Sequence, residues 1–177
     1  MTRSPTICLL SCIALLFITN LVHAEPPTKE EAHKFNQAIV EANKKLFAAG
    51  GEWGQNAHLN DNVSPDADGL QKGYKNCQKV LAEVKAEMKG LKVPETKSAG
   101  EFYKLHQKFL DAQERSIKNE LKDLTDVLSD PKLQDKEKKD KALEILKKAN
   151  KSEQDLVVEL QKAQETFAKE FGIDLSK

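Results

Sequence analysis

Cysteine, glycine, proline and aromatic residues are all scarce in this chain, and each scarcity excludes something. Three cysteines occur in 177 residues. Two of them, Cys8 and Cys12, lie in the opening apolar run "ICLLSCIALLFI", so Cys77 stands alone behind it and no intramolecular disulfide can form. Eight glycines and six prolines leave few places for turns, which points to long elements. Absent too are a P-loop, a Gly-x-Gly-x-x-Gly turn, a Gly-x-Ser-x-Gly elbow and a Cys-x-x-Cys-His haem attachment, so the commonest phosphate, acyl-transfer and covalent-haem chemistries drop out. No alternating strand pattern is found. Charge of one sign is also missing, with 28 basic residues against 28 acidic ones.

The single long apolar run sits within residues 1–24, after Arg3 and before the compact pair Val22 and Ala24. This is the pattern of a secretory signal peptide cut after Ala24. Cys12 does not read as a lipoprotein cysteine, because most of the apolar core follows it. The expected protein is therefore exported, to a periplasm, a cell surface or the medium. No later stretch reaches the roughly 18 apolar residues that a spanning helix needs, so no integral membrane segment is expected in the mature chain.

Removal of 24 residues from 177 leaves 153, enough for one domain with a sizeable core. The leader takes one basic residue with it, so 27 basic and 28 acidic residues remain, a net charge of −1. Such a balance exerts no bulk pull on nucleic acid, and no nucleic-acid partner is expected. The lysine-rich "KLQDKEKKDKALEILKK" reads as a solvated face, since Glu137 with Lys141 and Glu144 with Lys148 are helical ion-pair spacings.

Residues 25–177 read as a single domain of four helices, at about 28–60, 65–92, 98–129 and 133–171. Thr28 and Glu31 form a capping box for the first, Ser64 with Pro65 starts the second, and Ser98 with Glu101 caps the third. Apolar positions in the first helix run Phe35, Ile39, Ala42, Leu46, Ala49 and Trp53, keeping register through Gly50 and Gly51. The second carries an uninterrupted seam of Leu70, Tyr74, Cys77, Leu81, Val84, Met88 and Leu91. In the third the seam passes Tyr103, His106, Leu110, Gln113, Ile117, Leu121, Leu124 and Leu128. In the fourth it passes Ala142, Leu146, Ala149, Leu156, Leu160, Ala163 and Phe167, with a polar break at Ser152 and Glu153 and fraying near Gly172.

Short connections make successive helices antiparallel neighbours, so the expected fold is all-α, an up-down-up-down antiparallel four-helix bundle. The competing arrangement is a three-helix coiled-coil bundle with the first helix bent back at the glycines. Folding at the turns sets Gly50 and Gly51 level with Gly73, Tyr74 and Lys75, with Ile117 and Ile145 in the same layer. Small residues facing a large ring would keep that layer dense, and Gly50→Leu is expected to overpack it by about 1 to 3 kcal/mol. Trp53, one turn further, reads as a core anchor, with a partner-binding aromatic as the alternative.

Candidate chemistry is thin. Glu30 and His33 supply one Glu-x-x-His match in "EEAH", where a di-metal bundle needs two. "SPDADG" starts like a calcium loop but places Lys75 where a bidentate glutamate belongs. Cys77 falls in a seam, where a thiol is inert. Met88 and His106 lie about one turn apart once the second and third helices fold together, which makes non-covalent haem ligation conceivable. The ordinary reading is a gap-filling methionine and a histidine hydrogen-bonded to Tyr103 or Gln113. The sequons at Asn62 and Asn150 carry little weight. The sequence thus predicts a non-catalytic exported protein without a cofactor that binds an unidentified protein or envelope partner through its helix faces. The alternatives are a small-molecule or haem-type carrier using the interior near Met88 and His106, and a chaperone with an uncovered apolar groove.

Overall fold

The computed structural model of the protein describes residues 26–60 and 63–175, and for 148–153 the backbone alone. The expected leader, the Asn62 and Asn150 sequons, Ala149, Lys148 and the break at Ser152 and Glu153 lie outside what is described. Within it the chain is all-helical, with five α-helices joined by short connections.

Helix α1 (Lys29–Ala57) opens on the expected box: Thr28 Oγ1 accepts from Glu31 N at 3.2 Å, and Glu31 Oε2 accepts from Thr28 N at 3.0 Å. It runs unbroken through Gly50 and Gly51 and ends on His58, which takes the left-handed conformation with φ 48°. Helix α2 (Ala67–Lys89) begins two residues later than expected. Asp66 caps it, accepting from Gly69 N at 3.1 Å. Ser64 is drawn away instead and donates to Asp135. A carboxylate outcompetes a hydroxyl for the positive end of a helix, and Asp66 is held in place through its own N–H on Asn56 O at 2.9 Å.

Thr96, not Ser98, caps α3 (Lys97–Ser116), while Ser98 donates to Glu170. A π-helical turn, Ile117–Leu121, follows, and α4 (Lys122–Ser129) continues from it with right-handed dihedrals throughout. These three pieces replace the single expected helix over 98–129. The extra residue in the wide turn rephases the buried stripe, from Phe102, His106 and Leu110 before it to Leu124, Thr125 and Leu128 after it. Gln113, Ile117 and Leu121, expected in the seam, are left half-buried. Helix α5 (Asp135–Phe171), about 55 Å long, stops at Gly172 in the left-handed conformation, with Ile173 N bonded to Ala168 O at 2.8 Å.

Helix α1 lies along α2, α5 along α3 and α4, and α2 bridges to α4 and α3, while α1 barely meets α5. Two apolar clusters result. The first gathers Phe35, Ile39, Val84, Met88, Phe102 and Phe167, with Phe35 edge-on to Phe102 and Phe167 at centroid distances of 5.8 and 5.3 Å. The second gathers Trp53, Leu70, Cys77, Leu124, Leu128 and Ala142. Val80 and Ile117 border both.

The dense glycine layer is where the structure corrects the sequence most. A Cβ added at Gly50, Gly51 or Gly54 would meet nothing within 4 Å, so these residues face open space and the dense layer expected around them is absent. The close approach is at Gly73, where an added Cβ would lie 3.0 Å from the Cα of Trp53. Roles are therefore exchanged: the ring belongs to α1, and the missing side chain belongs to α2.

Candidate functional site

Three residues were singled out by sequence, and the structure places all three inside. Trp53 is 6 % exposed and its indole Nε1 donates to Thr125 Oγ1 at 2.9 Å. A ring so enclosed presents no face to a partner, so the partner-binding reading of Trp53 is replaced by that of a core anchor. Met88 is buried in the first cluster, and Tyr103 donates its hydroxyl to the Met88 carbonyl at 2.7 Å.

His106 is fully buried and stacked on Phe109, with ring centroids 6.2 Å apart. Its Nε2 lies 3.0 Å from Asn43 Oδ1, so its partner comes from α1 instead of Tyr103 or Gln113. Nδ1 is buried without a partner. Desolvation pulls the imidazole down to a pKa of about 4, which makes it neutral near pH 7. The tautomer with the proton on Nε2 lets the ring donate to Asn43, leaving a bare Nδ1 lone pair in the interior.

The other chemical candidates are engaged in helix ends. Glu30 pairs with Lys34 at 2.7 Å, which holds its carboxyl below the usual range. Glu31 is held to about 2 by the Thr28 N–H and then by Lys92. Burial and then the nearby Glu52 charge push the Cys77 thiol up, away from the reactive thiolate. Among the described residues no three His, Cys, Asp or Glu side chains gather to hold a metal ion, and no helix is long and apolar enough to cross a membrane.

Sequence reasoning missed a groove of about 400 Å³ between α2 and the junction of α3 with the π turn. Leu81, Ala82 and Ile117 supply its apolar surface, and Lys85, Lys89 and Lys118 stand around it. Glu114 spans two of these lysines, 2.5 Å from Lys85 and 2.6 Å from Lys118, and Lys85 reaches Asp111 at 2.8 Å as well. Held by Lys118 and Lys85, the Glu114 carboxyl falls to about 2, and it stays ionised throughout the ordinary pH range. A smaller recess of about 150 Å³, lined by Leu46, Ala49, Gly50, Cys77, Gln113, Ser116 and Leu121, shares Ile117 as a wall.

Ile117, the first residue of the π turn, is half-buried and forms one wall of the groove. On α2, the order Gln78, Ala82, Lys85, Lys89 at spacings of four, three and four is a helical stripe next to the seam, the one signal of the groove that the sequence carries. A larger cleft of about 580 Å³ opens between Pro26, Pro27 and the Lys92 to Glu95 turn, but its Glu30, Glu31, Lys34 and Lys92 already neutralise one another. Groups of this kind offer a surface for binding. No protein-family model matches the chain, and no curated protein or solved structure matches it significantly.

Proposed function

We propose that this protein is an exported, non-catalytic four-helix bundle that works by binding a partner through the helix face formed by α2 and α3. In this reading α3, the π turn and α4 act as one rod, and the four rods run up-down-up-down. The carrying observation is the groove at Leu81, Ala82 and Ile117, an apolar recess ringed by charge. Export rests on the n-region, apolar run and Val-x-Ala ending of residues 1–24.

A photo-cross-linking residue at Ala82, in the full chain expressed in its own cells, tests the face. Adducts from position 82 and none from the exposed Glu144 on α5 support it; equal labelling from both positions overturns it. N-terminal sequencing of the exported chain should begin at Glu25, and an intact Met1 in the cytoplasm would remove the export reading.

One observation favours a second reading, an interior cofactor carrier at Met88 and His106: the unpartnered Nδ1 of a fully buried histidine. Haem ligation there predicts a Soret band that His106→Ala abolishes. A colourless chain that stays colourless with added haemin sinks it.

A further inference from the structure

We propose that the groove between α2 and the π turn binds a single-chain fatty acid, its carboxylate at Lys89 and its alkyl chain along Leu81, Ala82 and Ile117. This assignment rests on the groove being the binding face. The argument begins with charge. Lys85, Lys89, Lys118 and Glu114 line the groove and Asp111 pairs with Lys85 beside it, so three positive charges stand with two negative ones and one positive charge is left over. Lys85 and Lys118 are both held by carboxylates, whereas Lys89 makes no ion pair among the described residues. A monoanion neutralises the rim; a dianion leaves it negative, and a neutral chain leaves Lys89 unanswered.

Shape narrows the class further. An amphipathic helix laid in a groove needs anchors at several successive turns of both walls. Here the α3 wall extends from Glu114 to Lys118, about one turn, and offers Ile117 as its apolar contact. That is too little for a helix and suits a flexible chain. A volume of about 400 Å³ falls in the ordinary small-molecule range. Ile117 is also a wall of a second recess of about 150 Å³, whose lining mixes Leu46, Ala49 and Leu121 with the polar Gln113 and Ser116. The headgroup chemistry has an internal precedent: a carboxylate, that of Glu114, already bridges two of the same lysines.

The test uses the purified, delipidated full mature chain with laurate, dodecanol and dodecyl phosphate, read by isothermal titration and native mass spectrometry. Ala82 is exposed, so Ala82→Trp fills the groove without touching the core, and Lys89→Gln removes the uncompensated charge. The expected result is one laurate per chain, binding at least tenfold weaker for dodecanol and for dodecyl phosphate, at least tenfold weakening by Lys89→Gln and loss in Ala82→Trp. Circular dichroism should show both variants as helical as the parent; if either is not, Ala82→Leu and Lys89→Ala replace them under the same criteria. Absence of laurate binding, binding of several molecules per chain, equal affinity for the alcohol or phosphate, or indifference to either substitution overturns the proposal. Lost laurate binding with retained cross-linking from position 82 removes the fatty acid alone, whereas the reverse removes the partner-binding face.

Discussion

Replacing Gly50, Gly51 and Gly54 together with alanine should stabilise the protein. Each glycine sits inside α1, where it costs roughly 0.8 to 1 kcal/mol relative to alanine through backbone entropy. Each also faces open space, with no atom within 4 Å of an added Cβ, so no steric penalty offsets the gain. The three share no partner, so their effects should add to about 2 to 3 kcal/mol, a little less than the full sum because Gly54 is near the end of the helix. For a chain of this size that is a rise in Tm of about 5 to 10 °C. Thermal and urea unfolding followed by circular dichroism measure it. Gly73→Ala serves as the opposite control, because its new Cβ would lie 3.0 Å from the Trp53 Cα, a backbone atom that cannot turn aside. That variant should lose about 1 to 3 kcal/mol. A triple variant that melts no higher than the parent, or a Gly73→Ala that melts higher, would refute the reasoning.

Thr125→Val removes the acceptor of the Trp53 indole and leaves a buried N–H unpaired; a loss of about 1 to 3 kcal/mol in urea unfolding is expected, and an unchanged midpoint would show the bond to be idle. Phe167→Ala, at the meeting of Phe35, Phe102 and Phe171, should cost about 3 to 5 kcal/mol by the same assay, with a loss under about 1 kcal/mol contradicting the described cluster. His106 gives a pH dependence of known sign. Its folded pKa of about 4 lies below the unfolded value near 6.5, so the unfolded chain binds the extra proton between them. Stability is full above pH ~6.5 and falls by up to about 3 kcal/mol as the pH drops toward 4. Urea unfolding from pH 7 to 4.5 should show that slope and His106→Gln should flatten it; parallel curves for the two proteins would exclude the histidine as its cause.

Most of the architecture was legible because helix periodicity is a local signal. The Thr28 box, the continuity of α1 across Gly50 and the α2 seam follow from spacings of three, four and seven. What failed depended on competition between distant groups. Ser64 and Ser98 are good caps in isolation, yet Asp135 and Glu170 on α5 engage them, and Asp66 and Thr96 take the helix ends. The π turn was invisible because no residue of "IKNEL" forbids an ordinary helix. The groove went unread for the same reason, since Ile117 and Lys118, which line it, belong to that turn. His106 was legible as interior, but its partner Asn43 is 63 positions away and no periodicity links them.

The two apolar clusters are unequal, and this inequality should set the order in which the molecule opens. Each draws on four helices, but the cluster around Phe35, Phe102 and Phe167 is the larger and also buries Phe109, while the other has Trp53 as its one buried ring among the described residues. Among the described residues only Val80 and Ile117 border both, and Ile117 lies in the π turn, where the regular α-helical bonding is interrupted. Amide hydrogen exchange would then divide the chain into two cooperative units: the backbone around Trp53, Leu70 and Leu128 exchanging through a partial opening, and the backbone around Phe35 and Phe102 exchanging only when the whole chain unfolds.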